Sequence, residues 1–241
     1  MLCITVILTI RKSCIPLKTT KIVKRKNGYV EMESSSISGI LLTIEGPEGS
    51  GKTTQVNLLS ERLAALGREV LKVRAPGGTP VGESIRGVLQ HDTAGEAPVA
   101  VAEVFLFLAS HAQLARTVIR PALERGVVVI CDRYVDSMVA YQGYGRGLGA
   151  DMIRSLGNFA VDGLVPDRTV LLDLEVETGR SRLTGELDRI EREPLDFHSR
   201  VRDGFLKEAE REPYRFVVVD ASRDLDSVTR DVWEALSPLF S

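Results

Sequence analysis

The sequence has little of what builds disulfide-linked, zinc-dependent or membrane-spanning proteins. Its three cysteines, Cys3, Cys14 and Cys131, are too few and too scattered for a disulfide framework or a zinc site. The apolar segment 1–10 is about half as long as a membrane span. Its basic residues follow it, which is the wrong order for a secretory signal. We therefore expect a cytoplasmic protein with no membrane partner.

The chain also lacks a large net charge, because its 31 basic and 33 acidic side chains leave a formal net charge of −2. The distribution is uneven, because the segment 1–31 is rich in lysine and arginine and has Glu31 as its only acid. The remainder of the chain is therefore acidic. Nucleic-acid-binding proteins need a basic face, so we expect no nucleic-acid partner.

The basic segment sets the start of the chain apart from the remaining residues. We predict that residues 1–38 are an N-terminal extension, either disordered or an artefact of an upstream reading frame with translation starting at Met32. Residues 39–241 are then predicted to form one domain. Hydrophobic residues make up 44% of the chain, which is enough to fill a sizeable core, and no linker divides residues 39–241.

A complete G-x-x-x-x-G-K-[ST] motif occupies 46–53, between a predicted strand at 39–45 and a predicted helix at 52–66. Glycines let backbone N–H groups turn toward a polyphosphate, Lys52 reaches the β- and γ-phosphates, and the Thr53 hydroxyl can coordinate Mg²⁺. The motif therefore predicts a nucleoside-triphosphate site. The predicted nucleotide-binding residues are Gly46, Pro47, Glu48, Gly49, Ser50, Gly51, Lys52, Thr53 and Thr54.

Short and almost purely apolar runs at 127–131, 169–173 and 216–220 are typical of parallel strands covered on both faces. A further strand is predicted at 68–73. Helices are predicted at 80–90, 99–125, 151–161, 176–183, 196–212 and 225–239, and the helix at 99–125 is expected to be interrupted or bent near Pro121. The alternation predicts an α/β fold like that of the P-loop nucleoside-triphosphate hydrolases: a doubly wound parallel sheet of about five strands with flanking helices and a short lid.

Two arginines follow predicted strands, and ligands gather at the carboxyl ends of parallel strands. Arg74 follows the second strand, and Arg133 comes directly after Asp132 at the end of the third. A small-molecule kinase needs cations opposite the donor loop, because two polyanions must be brought into line. Arg74 and Arg133 are therefore predicted to hold an acceptor phosphate.

The charged segment 184–193 interrupts a helical region and contains a glycine. One interpretation is a solvated connection between helices. The other is a mobile lid that closes over the phosphates, excludes water and adds positive charge at the transition state. Its candidate cations are Arg180, Arg182, Arg189 and Arg192.

The order of these motifs resembles that of the bacterial thymidylate (dTMP) kinases. The matching segments are 44–54, 74–79, 102–107, 132–134 with Ser137, 140–143, 166–167 and 185–191. Together they extend over about residues 39–240. The lid-like segment and Tyr141-Gln142-Gly143 discriminate best, whereas the phosphate loop alone does not separate this family from other nucleotide kinases.

The resemblance implies transfer of the γ-phosphoryl of MgATP to dTMP, giving dTDP and ADP for dTTP biosynthesis, by a cytoplasmic homodimer. Phe107 is implied to stack on thymine and Tyr141 to close the sugar side. Gly49 replaces a loop arginine of one subgroup, which leaves the transition-state charge to the lid. Catalytic roles are implied for Lys52, Arg133, Arg182 and Arg189, and metal ligation for Thr53 and Asp132. Acceptor binding is implied for Glu48, Arg74, Phe107, His111, Arg133, Ser137, Tyr141 and Gln142.

Three positions depart from the family pattern. Ala75 stands in place of a glutamate, Met138 in place of a polar residue, and His111 in place of an arginine that hydrogen-bonds the base. His111 is predicted either to make a weaker or water-bridged base contact or to face solvent. Two alternatives therefore stay open: another nucleoside or nucleotide kinase with altered base preference, and an ATP-binding P-loop protein that has lost transfer.

Overall fold

The computed structural model describes residues 20–22, 32–34, 37–91 and 95–240. The chain divides into two units, 1–36 and 37–241. In the first unit, strand β1 (Thr20–Ile22) pairs with β2 (Met32–Ser34) in antiparallel register. Most of the predicted extension lies outside the described residues, so its boundary and its state stay predictions.

The second unit is built on a parallel sheet of five strands in the order β4-β5-β3-β6-β7. The strands are β3 (Ile40–Glu45), β4 (Val70–Arg74), β5 (Val128–Asp132), β6 (Arg168–Asp173) and β7 (Phe216–Asp220). The predicted parallel sheet is confirmed. Its central strand, β3, leads directly into the phosphate loop, and the ends of β4 and β5 lie on the same side of it.

Helices cover both faces of this sheet. They are α1 (Lys52–Ala65), α2 (Pro80–Gln90), α3 (Ala100–Leu114), α4 (Arg120–Glu124), α5 (Val135–Met138), α6 (Ala150–Ala160), α7 (Val176–Arg182), α8 (Leu195–Arg211) and α9 (Leu225–Leu236). Among the described residues, no helix is both long enough and apolar enough to span a membrane.

The apolar strands belong to two separate cores because successive side chains of a strand point to opposite faces. Leu41 packs into the core that α3 and α8 share, and its neighbour Leu42 packs into the core beneath α1 and α9. Both residues are essentially buried. Burial on both faces explains why the strands consist of apolar runs instead of alternating apolar and polar residues.

The long helical stretch at 99–125, predicted to be interrupted or bent near Pro121, is interrupted. A π-helical segment, Ala115–Ile119, separates α3 from α4 just ahead of Pro121. Proline has no N–H to donate to the carbonyl four residues earlier, which favours a local change of helical pitch. A second π-helical segment, Val139–Gly145, continues α5 and was not predicted. It carries Tyr141 and Gln142 toward the carboxyl ends of the strands.

Candidate active site

The phosphate loop joins the end of β3 to the start of α1. Gly49 has a φ of 70°, and a Cβ at this position would lie 2.1 Å from the carbonyl oxygen of Gly179. Only glycine fits this left-handed and crowded position. Lys52 donates from Nζ to the carbonyl oxygens of Pro47, at 2.8 Å, and Gly46, at 3.2 Å. Burial, reinforced by the charge of Arg133, lowers the pKa of Lys52 to about 8.

Thr53 and Asp132 meet beside the loop because β5 is the neighbour of β3 in the sheet. The Thr53 hydroxyl donates to Asp132 Oδ2 at 2.9 Å. Within the described ranges, no group of three or more His, Cys, Asp or Glu side chains is arranged to hold a metal. Mg²⁺ is usually bound by only one or two protein oxygens together with phosphate and water oxygens, so this pair fits Mg²⁺.

Arg133 and Glu48 form a half-buried ion pair at the mouth of the loop. Arg133 has a φ of 65°, and its Nη2 lies 2.8 Å from Glu48 Oε1. The Tyr141 hydroxyl donates to the same oxygen at 2.7 Å, and its ring centroid lies 5.1 Å from the guanidinium carbon. Burial alone would raise the pKa of Glu48, but the charges of Arg133 and Lys52 lower it to about 2.

A cleft of about 650 Å³ brings the phosphate loop together with the residues at the strand ends. Arg74 stands at the end of β4, where its Nη2 lies 2.8 Å from Glu83 Oε2 and its side chain is 54% exposed. Asp132 and Arg133 line the same cleft. The predicted donor site and the predicted acceptor arginines therefore share one cavity.

A second cavity, of about 130 Å³, adjoins this cleft. Four residues line both spaces, namely Glu48, Ala75, Arg86 and Arg133. The smaller cavity also has aromatic and polar walls formed by Phe107, His111, Ser137, Met138, Tyr141 and Gln142. A molecule could therefore place a phosphate near Arg133 and an apolar ring in the smaller space.

His111 is buried, with a relative exposure of 1%. Its Nδ1 lies 2.8 Å from the carbonyl oxygen of Phe107, and its ring packs near that of Tyr134. The alternative of a solvent-facing histidine is therefore wrong. Burial lowers the pKa of His111, which favours a neutral ring. The three departures from the family pattern, Ala75, His111 and Met138, all line the smaller cavity.

Two predicted acceptor residues are held by other side chains at the cavity wall. Ser137 Oγ donates to Glu45 Oε2 at 2.5 Å and accepts from Arg133 Nη1 at 3.2 Å. Gln142 Nε2 donates to Glu103 Oε1 at 3.1 Å. Both side chains therefore help to hold the wall of the cavity, whatever they contact in a complex.

The two arginines predicted to act from the lid region, which we call the lid arginines, lie in different places. Arg182 is the last residue of α7, and Arg189 lies in the segment 184–193 that connects α7 to α8. Arg182 lies beside the phosphate loop, with Nη1 3.1 Å from the carbonyl oxygen of Ala221 and 3.5 Å from that of Gly49. Arg189 instead contacts α3 and α2. Its Nη2 lies 2.6 Å from Glu103 Oε2, and its Nε donates to the Leu89 carbonyl oxygen. The structure thus brings Arg182, but not Arg189, to the loop.

Sequence reasoning missed several polar residues of the site, among them Arg86 and Glu45. Arg86 projects from α2, lines both cavities and donates from Nη1 to the Pro76 carbonyl at 2.9 Å. It follows the buried Gly82 by four residues and precedes the buried Leu89 by three, so helical spacing would have placed it on the inner face of α2. Glu45 had no such signal, because it ends an apolar strand.

A sequence model of the thymidylate kinase family matches residues 44–232. The chain belongs to the thymidylate kinase family. It is 48% identical over 201 residues to the thymidylate kinase of Deinococcus radiodurans, covering 83% of this chain and 97% of that protein. It is 47% identical over 206 residues to that of a Geobacter species, covering 82% and 91%.

A solved member of the thymidylate kinase family has the same fold. The crystal structure of thymidylate kinase from Ehrlichia chaffeensis superposes with a TM-score of 0.68 at 33% identity, covering 83% of this chain and 99% of that chain. The predicted P-loop kinase fold and the resemblance to thymidylate kinases are both confirmed.

Proposed function

We propose that the protein is a thymidylate kinase, an ATP-dependent nucleoside monophosphate kinase that converts dTMP to dTDP. The observation that carries this proposal is a cleft lined by a complete phosphate loop together with Arg133 and Arg74, next to an aromatic-walled cavity that shares four of its lining residues. A P-loop protein that only bound ATP would have no need for the acceptor side. Family membership supports the same activity.

Phosphoryl transfer asks the protein mainly for alignment and charge neutralisation. Lys52 and the loop amides would bind the phosphates of ATP. Thr53 and Asp132 would hold Mg²⁺, which neutralises phosphate charge when bound. Arg133 and Arg74 would bind the acceptor phosphate across the cleft, so that the two reacting groups approach in line.

The smaller cavity would take the nucleoside part of dTMP. Phe107 offers a ring for stacking on thymine, and Tyr141 closes the sugar side beside Glu48, where a 2′-hydroxyl would be crowded. His111, Gln142 and Ser137 complete the wall around the base. Since His111 is shorter than arginine and favours the neutral form, we expect the base to be recognised mainly by shape and stacking, with a weaker polar contact.

Of the two lid arginines, Arg182 is better placed to meet charge that develops at the transition state. It already lies against Gly49 of the phosphate loop. Arg189 acts by fastening the lid, because its ion pair with Glu103 joins the segment to α3. Asp188 adds a second attachment by accepting from Gln90 Nε2 at 2.8 Å.

The protein is proposed to act in the cytoplasm as a homodimer, and the apolar surface of α3 and α6 supports the assembly. Val101 and Phe105 on α3 and Met152 and Phe159 on α6 are each more than half exposed, and Phe159 reaches 82%. These two helices pack against each other, so their outer faces form one surface. A patch of this kind marks an interaction site. The family resemblance implies a homodimer, and this face is our proposed interface.

A coupled assay of ADP formation with dTMP, dUMP, dCMP, dGMP and AMP as acceptors tests the proposal. We expect dTMP to give the highest kcat/KM, and Lys52→Met to abolish turnover with every acceptor. Preference for another nucleotide would favour the altered-base alternative, in keeping with the three substitutions in the smaller cavity. ATP binding without transfer to any of the five would contradict kinase activity.

A further inference from the structure

Glu45 is a buried carboxylic acid at the junction of the donor and acceptor sites. It is the last residue of β3, directly before Gly46 of the phosphate loop, and its relative exposure is 0%. Burying a carboxyl group costs free energy, so buried carboxyl groups are normally hydrogen-bonded. Both oxygens of Glu45 have partners, and both partners belong to the chain segment after β5.

These partners fix the turn that carries Arg133. Glu45 Oε1 accepts from the Tyr134 backbone N–H at 2.6 Å, and Oε2 accepts from Ser137 Oγ at 2.5 Å. Ser137 Oγ in turn accepts from Arg133 Nη1, which also donates to the Gly46 carbonyl at 3.0 Å. The carboxyl group therefore bridges the end of β3 and the Arg133 side chain through one hydroxyl.

Arg133 needs this support because its backbone is in a conformation that arginine rarely adopts. Its φ of 65° lies in the left-handed region, where a non-glycine residue is strained. Such a conformation persists only where the surroundings hold it. The bonds from Glu45 hold the residue after Arg133 and the hydroxyl that its guanidinium contacts.

We propose that Glu45 is a positioning residue for phosphoryl transfer. It holds the Arg133 guanidinium in the orientation that binds the acceptor phosphate, and it fixes that orientation relative to the phosphate loop. The proposal rests on the proposed kinase function. Glu45 does not itself touch the substrates; it acts through Ser137 and Tyr134.

The proposed role does not depend on ionisation of Glu45. Burial, reinforced by the charge of Asp136, raises the pKa of Glu45 to about 8. In either protonation state an oxygen accepts from Tyr134 N–H and the other oxygen can share a proton with Ser137 Oγ. The variants that test the positioning role of Glu45 therefore differ in whether they keep its hydrogen-bonding atoms, and the charge of Glu45 is not what they test.

The test is the preference for dTMP over thymidine, measured as a ratio of dissociation constants by calorimetry. The two ligands differ only by the phosphate that Arg133 would bind. We expect the wild-type protein to prefer dTMP by at least about tenfold, as charge-assisted hydrogen bonds warrant. Glu45→Leu should reduce this preference about tenfold, because it fills the space but leaves Ser137 and Tyr134 N–H without the carboxyl. ATP affinity should stay within about threefold.

Conservative and matched variants separate positioning from stability. Glu45→Gln keeps a polar atom opposite both partners and should retain most of the preference. Glu208→Leu makes the same change at another buried glutamate, which pairs with Arg154 at 2.6 Å, and should lower the melting temperature without altering the preference. Ser137→Ala serves if Glu45→Leu does not fold, and should shift the preference in the same direction.

Two results would overturn the proposal. One is a Glu45→Leu protein, or Ser137→Ala where that is used, whose preference for dTMP equals that of the wild type. The other is full additivity of Glu45→Leu and Ser137→Ala, since residues that act through one another are non-additive. If the wild-type protein itself does not distinguish dTMP from thymidine, the proposed kinase function fails instead.

Discussion

Arg133 makes the largest set of contacts among the side chains proposed to bind the acceptor. It bonds Gly46, Glu48 and Ser137 and lies over the ring of Tyr141. Burial would lower the pKa of Arg133, but Glu48, Tyr141, Asp132 and Glu45 together more than offset this and raise the pKa, so the guanidinium stays charged. A charge held this firmly is oriented before the substrate arrives, which is what an in-line transfer requires.

Replacing Arg133 should therefore impair the reaction severely. We expect Arg133→Gln to lower kcat/KM for dTMP by about 10² to 10³, because it removes a cation at the reacting phosphate and leaves Glu48 buried without its partner. Steady-state kinetics at varied dTMP measure this. Arg120→Gln, which breaks only a partly exposed pair with Asp162, is the control and should change kcat/KM less than about twofold. A normal rate in Arg133→Gln would contradict its assignment.

The two lid arginines should respond differently to the same substitution. Arg182→Gln should reduce kcat by at least about 10², with smaller changes in both KM values, as expected for a group that acts at the transition state. Arg189→Gln should destabilise the fold by about 1–3 kcal/mol, because it weakens a buried cluster in which Glu103 keeps Arg146.

Thermal unfolding and kcat, measured on both proteins, decide between these roles. A large loss of kcat in Arg189→Gln with an unchanged melting temperature would reverse the assignment.

At the scale of elements, the phosphate loop and α7 meet at two glycines, Gly49 and Gly179, where backbone lies directly against backbone. A Cβ on Gly179 would lie 2.3 Å from the Glu48 carbonyl oxygen, and one on Gly49 would lie 2.1 Å from that of Gly179. Each contact is too short for any side chain. The helix that leads into the lid is thus seated directly on the donor loop, which is how Arg182 reaches Gly49.

Adding a methyl group at this contact should separate the loop from α7. We expect Gly179→Ala to lower kcat/KM for ATP by at least tenfold, about 1.4 kcal/mol or more, and to lower the melting temperature. Gly87→Ala is the matched control, because Gly87 lies in α2 with open space around its Cβ position. It should stabilise the protein by about 0.5–1 kcal/mol. Equal behaviour of the two variants would show that the contact is unimportant.

Most elements could be predicted from the sequence, and the exceptions have physical causes. The strands of the sheet were recognisable because runs such as 169–173 are apolar on both faces. The segment Val135–Gly145 was not, because it turns through a short helix and a π-helical stretch whose residues are buried on most sides and so show no amphipathic period. Its structure depends on packing against α6 and α8.

At the scale of the whole molecule, the helices α3 and α6 expose an apolar face within the part of the chain that the structure describes. Phe107 and His111 line the acceptor cavity from the inner side of α3, while Phe105 points outward. An interface on this face would therefore brace the helix that carries the base-binding residues. Dimerisation and acceptor binding are expected to depend on each other.

The double substitution Phe105→Asp with Phe159→Asp should produce a monomer. Two charges in an apolar interface would be desolvated without partners, which costs several kcal/mol. Sedimentation velocity at micromolar concentration should give the mass of two chains for the wild type and of one chain for the variant. Tyr214→Asp, at another strongly exposed aromatic, is the control and should leave the dimer intact. A wild-type protein with the mass of one chain would contradict the dimer.

Local patterns were enough to predict the phosphate loop, the parallel sheet and the family, because these follow from glycine spacing, apolar runs and motif order. The sequence also predicted Arg133 and Asp132 as site residues, because the carboxyl ends of parallel strands meet at one edge of such a sheet. The tertiary structure alone decided which side chains face each other across that edge. Several contacts join residues that are far apart in the chain. The His111 ring packs near that of Tyr134, Arg189 pairs with Glu103, and Glu45 accepts from Tyr134 and Ser137. No local pattern records such contacts, because they arise only when the helices and strands pack.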